Sequence, residues 1–191
     1  MMTVRHIERL WKDQRFDRLI DELVTGRAEG VAGIRPLLQG PLAAAALAVI
    51  RMGELHQAHQ PLAARLVRFL LASQELDGRF GDTATSALTL RALAASQGAG
   101  PAIASALKFL ETLQRDDGEW PAEPLRRMPG DPAVTAFVIR QIAECRTPAA
   151  TQLVDRALQR LLEDPAAGDH QLATLRQRVL VRKPSTARSW S

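Results

Sequence analysis

The chain has 191 residues, 46% of them hydrophobic and 24% charged, with a formal net charge of +4 at pH 7. That length suits one domain or one stack of repeats with a sizeable core, and the charge excess is too small to argue for a nucleic-acid partner. A single cysteine, Cys145, excludes an internal disulfide, no long apolar run follows MMTVRHIERLWK, and the longest such run, Pro41–Ile50, falls short of the roughly twenty residues a membrane span needs. A cytoplasmic protein with no signal peptide and no membrane span is therefore the expectation.

Val4–Val24 places Ile7, Leu10 and Trp11, then Phe16, Leu19, Ile20 and Leu23, at helical spacing, with a break near Asp13–Arg15. Thr25–Gly33 is polar and glycine-rich and reads as a connection, followed by the short Ile34–Leu38 segment. Gly40-Pro41 opens LAAAALAVIRM, a run whose small side chains suit a buried helix with Pro41 in its first turn. Gly53–Gln60 reads as a turn. From Pro61 the pattern is regular: a helix over Leu62–Ser73, a turn over Gln74–Gly81, and a second helix over Asp82–Ser96 with Asp82 as its N-cap.

This unit is repeated. SALKFLETLQRDDGEW, Ser105–Trp120, lies 40 residues after RLVRFLLASQELDGRF, Arg65–Phe80, so that Phe109, Leu110, Gln114, Asp117, Gly118 and Trp120 fall on Phe69, Leu70, Gln74, Asp77, Gly78 and Phe80. Gly130-Asp131 matches Gly81-Asp82 at an offset of 49, leaving nine extra residues, Pro121–Pro129, as a proline-bounded loop. Asp131 then caps a helix reaching about Glu144, with Pro132 at its first position. Gly40–Leu47 and Gly168–Leu175 are weaker copies of Gly81–Leu88, and a further helix is expected over Ala149–Leu162. The expected fold is all-α, about four helical hairpins in one domain over residues 1–181, with repeat units near 62–96 and 102–144 and a flexible basic tail over 182–191.

FLLASQELDGRF and FLETLQRDDGEW resemble the QW motif of the squalene-hopene cyclase and prenyltransferase repeat family: an aromatic, an aliphatic run, a glutamine, then glycine, any residue and tryptophan. Gln114, Gly118 and Trp120 fit it fully; Gln74 and Gly78 fit, with Phe80 in place of the tryptophan. The resemblance covers mainly residues 65–144. It implies an α/α toroid in which Leu62–Ser73 and Ala102–Leu113 are outer helices and Asp82–Ser96 and Asp131–Glu144 inner ones lining a cavity, with the motif residues structural. A full toroid of this kind needs about six hairpins, so about four imply an open arc or half-barrel, or a ring completed by another copy or another protein.

The groups that carry the family's chemistry are missing. No DxDD occurs; Asp116-Asp117 is the only Asp-Asp doublet, and Trp120 stands where a DDxxD motif needs its last aspartate. The prenyltransferase zinc set cannot be carried over to the lone Cys145, and Glu54, His56 and His59, close in sequence before Pro61, are weak evidence for a metal. No metal or cofactor is expected. Cation chemistry also needs aromatic faces, and of the three Trp and five Phe only Phe137 falls on an expected inner helix. Asp82, Asp131 and Asp169 each open such a helix; capping explains them, and a curved arc would also gather them at one mouth as candidate ligand contacts together with Phe137. Three readings stay open: a non-catalytic binder of an apolar or isoprenoid-like ligand, a helical scaffold for another protein with Pro121–Pro129 as its contact loop, and a terpenoid-cyclase-like enzyme with a non-standard acid. Under the first two, self-association or a protein partner is expected.

Overall fold

In the computed structural model the structure describes residues 3–25, 32–96 and 99–163. Among these residues the fold is all-α: α1 (Val4–Lys12), α2 (Phe16–Val24), a 3-10 segment (Ala32–Leu37), α3 (Gly40–Glu54), α4 (Pro61–Ala72), α5 (Thr83–Ala94), α6 (Gly100–Leu113), α7 (Pro132–Ile142), a short 3-10 turn (Ala143–Cys145) and α8 (Pro148–Glu163). No helix among the described residues is long and apolar enough to cross a membrane.

The two amphipathic stretches of the N-terminal region are separate helices. Thr3 caps α1 by accepting a hydrogen bond from the His6 amide, and Gln14, at φ 55°, makes the break between α1 and α2. Trp11 then meets Phe16 of α2 at 5.2 Å and Phe69 of α4 at 5.3 Å between ring centroids, so the break folds α1 back over α2 and onto α4. Arg65 of α4 reinforces that contact with a 2.7 Å bond to Glu8. Its donation, followed by that of Lys12, holds the Glu8 carboxyl below its usual range.

α3 is buried on every side from Ala43 to Ile50. A helix contacted from several directions needs small or apolar side chains all round, and α3 packs against α2, α4 and α5. Its alanines make that approach possible. α5 has the same character, with Thr83–Leu90 all buried, and packs against α3 and α7 as well as α4 and α6. α8 packs against α7 and α6.

α3, α5 and α7 thus form a row, and contacts at both ends give its direction. At the start of the row, Leu42 of α3 lies 4.0 Å from where a side chain on Gly81, just before α5, would begin. At the far end, Arg91 in the last turn of α5 reaches Gln141 of α7 at 3.3 Å and Glu54, the last residue of α3, at 3.5 Å. The three helices run the same way.

Three boundaries differ from the sequence expectation. α3 runs to Glu54, so the expected turn at Gly53–Gln60 begins only at Leu55. His56, at φ 55°, belongs to that turn. The helix opened by Asp131 is α-helical only to Ile142; it tightens into the 3-10 turn, and Arg146 in the left-handed region ends it. α6 begins at Gly100, with Pro101 accommodated in its first turn. The expected copy at Gly168–Leu175, the tail over 182–191 and Asp169 lie outside the described residues.

Candidate functional site: the repeated turn and the starts of the row helices

The two repeated turns share a set of backbone and aspartate bonds. In the first, the Glu75 amide donates to Arg79 O at 3.0 Å and the Gly78 amide to Glu75 O at 2.9 Å; in the second, Arg115 donates to Glu119 O and Gly118 to Arg115 O, each at 2.9 Å. Asp77 Oδ1 accepts from the Arg79 amide and Asp117 Oδ1 from the Glu119 amide, both at 3.1 Å. Such side-chain turns are what Asp supplies between helices. The carboxylates of the doublet are engaged here too, since Asp117 also accepts from Arg115 and Asp116 pairs with Arg126.

The glutamines fasten each turn to a later helix. Gln74 Nε2 donates to Gly78 O and to Ala102 O of α6, both at 2.9 Å; Gln114 Nε2 donates to Gly118 O at 3.1 Å and to Leu153 O of α8 at 3.0 Å. The glycines allow the close approach. A side chain on Gly78 would collide with the Ser105 carbonyl of α6, and one on Gly118 would begin 2.8 Å from the Arg156 carbonyl of α8. Ala102 and Leu153 are 51 residues apart, as are Ser105 and Arg156, so the same register joins α4's turn to α6 and α6's turn to α8.

Gln114 is almost fully buried, whereas Gln74 is half-buried. Gln114→Leu keeps the volume but strips the donor from two carbonyls at a buried site, and is expected to cost about 2–3 kcal/mol in urea unfolding. Gln74→Leu is expected to cost about 1 kcal/mol, because water reaches its partners more easily. Equal losses at the two positions would contradict this account of the clamp.

Phe80 and Trp120 are both fully buried, and each is held by a hydroxyl from the helix that follows. The Phe80 amide donates to Ser86 Oγ and the Trp120 amide to Thr135 Oγ1, both at 2.9 Å. Trp120 adds a bond from Nε1 to Leu110 O at 2.8 Å. Ser86 and Thr135 were not singled out by the sequence reading. The signal was present, since each stands four residues after the capping aspartate, in GDTATS and GDPAVT.

Asp82 and Asp131 lie at the same end of the row and both cap. Asp82 accepts from the Thr85 amide at 2.7 Å through one oxygen and from the Thr85 hydroxyl at 2.9 Å through the other; Asp131 accepts from the Ala133 and Val134 amides at 2.8 and 3.0 Å. The Asp131 amide also donates to Trp120 O at 2.9 Å, which closes the base of the Pro121–Pro129 loop. The inserted residues therefore leave the register of the second repeat unchanged. Arg115 and Arg126 brace the loop, through Arg115 to Met128 O at 2.9 Å and Arg126 to Asp116.

Phe137 is packed into the core at 2% exposure rather than presented to solvent. Along α5, Thr83 Oγ1 and Thr89 Oγ1 are buried without a hydrogen-bond partner, as is Gln114 Oε1 in the second turn. Of the sequence candidates for a metal, Glu54 is engaged by Arg51 at 3.1 Å as well as by Arg91, and His59 contacts Gln60. No group of three His, Cys, Asp or Glu among the described residues is arranged to hold a metal ion.

Burial first, and then Glu144, pushes the Cys145 thiol up to about 11 from a reference of 9.0. A thiol held neutral by the fold contributes stability that is full below about pH 9 and is lost as pH rises toward 11, where the unfolded chain ionises first. Cys145→Ser is expected to flatten that alkaline decline in stability measured from pH 8 to 11. An unchanged decline would assign it to other groups.

Comparison with protein-family models, with curated proteins and with solved structures returns no match.

Proposed function

We propose that this chain is a non-catalytic binding protein of the α/α-toroid type, related in design to terpene cyclases and prenyltransferases, which takes an apolar or isoprenoid-like ligand on the surface of the α3–α5–α7 row. In this reading the row is the inner wall of an open arc, and α4, α6 and α8 are its outer helices. The observation that carries it is on α5, the middle helix of the row. Its small side chains, Ala84 and Ala87, stand among buried hydroxyls, and Thr83 Oγ1 and Thr89 Oγ1 have no partner. Buried polar atoms are nearly always satisfied, and an isoprenoid alcohol would bring apolar area and a partner for one of the two hydroxyls, which stand roughly 9 Å apart along α5. Asp82 and Asp131 keep their capping role in this proposal, and no proton transfer is assigned to them.

The test is native mass spectrometry of the purified chain, followed by titration with farnesol. A retained apolar molecule that farnesol displaces supports the reading. A ligand-free chain that does not take up farnesol at millimolar concentration sinks it.

The second reading, a helical scaffold, is favoured by the apolar side chains left outside: Leu76 on the first turn and Leu125 and Met128 on the inserted loop are exposed. It predicts self-association or a protein partner through those turns. Leu125→Ser with Met128→Ser would then change the sedimentation behaviour of the chain, or its affinity for the partner, without changing its stability.

A further inference from the structure

The 3-10 segment stands between α2 and α3 in sequence, yet it lies against α5 and α7. Those are the two row helices that carry Thr83, Thr89 and Phe137. Ile34 and Leu38 are its buried apolar anchors. Its polar attachments run elsewhere: Arg35 bonds Asp21 of α2 at 2.7 Å, the Asp17 carbonyl at 3.3 Å and Leu38 O at 2.8 Å, while Gln39 Nε2 donates to Pro36 O at 2.7 Å.

The segment has the parts of a device that opens. A short 3-10 run has poorer hydrogen-bond geometry than an α-helix and is a weak structural unit by itself. The link to α3 is Gly40, at φ +71° with nothing within 4 Å of where a side chain would begin. A glycine in open surroundings absorbs backbone rotation at little cost. At the other side, the Asp21 half of the Arg35 latch is exposed, while Arg35 itself keeps only 24% of its side chain exposed.

We propose that Ile34–Leu38 is a strap that covers the α5–α7 surface and opens by turning at Gly40, with the Arg35–Asp21 pair as its latch, while the helices stay folded. What replaces the strap rests on the functional reading above; the opening itself does not.

The experiment is native-state hydrogen exchange by mass spectrometry on the full chain, with peptides covering the strap, α5 and α7. The strap amides are expected to exchange faster than those of α5 and α7. Arg35→Ala is expected to raise the strap rate roughly fivefold, the scale of one surface ion pair, with α5 and α7 unchanged. Strap amides that exchange only as slowly as α5, or an Arg35→Ala variant that accelerates all three regions together, would overturn the proposal. Farnesol is then added as the probe. Faster strap exchange with slower exchange in α5 and α7 is the expected result and supports both proposals. Slower α5 and α7 exchange with an unmoved strap overturns the strap as the competing occupant. A strap that opens by itself while farnesol alters nothing leaves the strap standing and removes the isoprenoid reading.

Discussion

Replacing Trp120 by alanine is expected to remove about 3–5 kcal/mol from the unfolding free energy, the scale for deleting a buried aromatic. The ring is fully buried, and its indole donates to Leu110 O in the last turn of α6. Alanine leaves a cavity and takes one of two donors from Leu110 O, which keeps the Gln114 amide. Domains of this size have only about 5–15 kcal/mol in hand, so the variant is expected to unfold at a clearly lower urea concentration or to be recovered poorly. Trp120→Phe separates the two contributions. The first repeat already uses Phe80 at the matching place, also fully buried, so phenylalanine fills most of the volume and loses mainly the indole bond. That costs about 1–2 kcal/mol. If Trp120→Phe proves as damaging as Trp120→Ala, packing is not what Trp120 supplies.

Gly78→Ala is expected to cost about 3 kcal/mol or more, which is large for a single methyl group. Its φ of +93° already penalises any side chain, by about 1–2 kcal/mol. The new carbon would also strike the backbone of Ser105, which cannot turn aside as a side chain can. α6 must therefore retreat from the turn, and the Gln74 bond to Ala102 O is stretched as it does. Gly40→Ala is the control. It carries a similar positive φ of +71° in open space, so only the backbone strain of about 1–2 kcal/mol is expected. Chemical denaturation of both variants gives the comparison, and a Gly78→Ala cost no greater than that of Gly40→Ala would show that α6 does not press on the turn.

Much of this was readable in the chain because it was written twice. Two copies of glutamine, aspartate, glycine and an aromatic at fixed spacing marked the turns, and Asp82 and Asp131 carried a capping chemistry that depends only on neighbours three residues away. The break between α1 and α2 followed from periodicity, and the burial of α3 from its run of small side chains. What stayed hidden depends on distant parts of the chain. AGIRPL has no period and reads as a connection, and nothing local says that it comes to rest on α5 and α7. Phe137 looked like a ligand contact because it was the lone aromatic on an expected inner helix; its burial depends on neighbours that only the assembled helices supply. The end of α3 was misplaced because the glycine at Gly53 looks like a turn signal, although helix interiors tolerate one at a modest cost.

The common direction of α3, α5 and α7 has an electrostatic consequence. Neighbours in an up-and-down bundle oppose their dipoles, whereas three parallel helices add theirs, leaving positive partial charge at one end of the row and negative at the other. Residues at both ends answer that imbalance. Asp82 and Asp131 sit where α5 and α7 begin, and Arg51, Arg91 and Arg140 sit in the last turns of α3, α5 and α7. Each such charge contributes about 0.3–1 kcal/mol near a helix end; α3, with no acidic residue in its first turn, carries only the arginine at its foot. The Gly-Asp openings of α5 and α7 are thus also counter-charges to the helix ends that they cap.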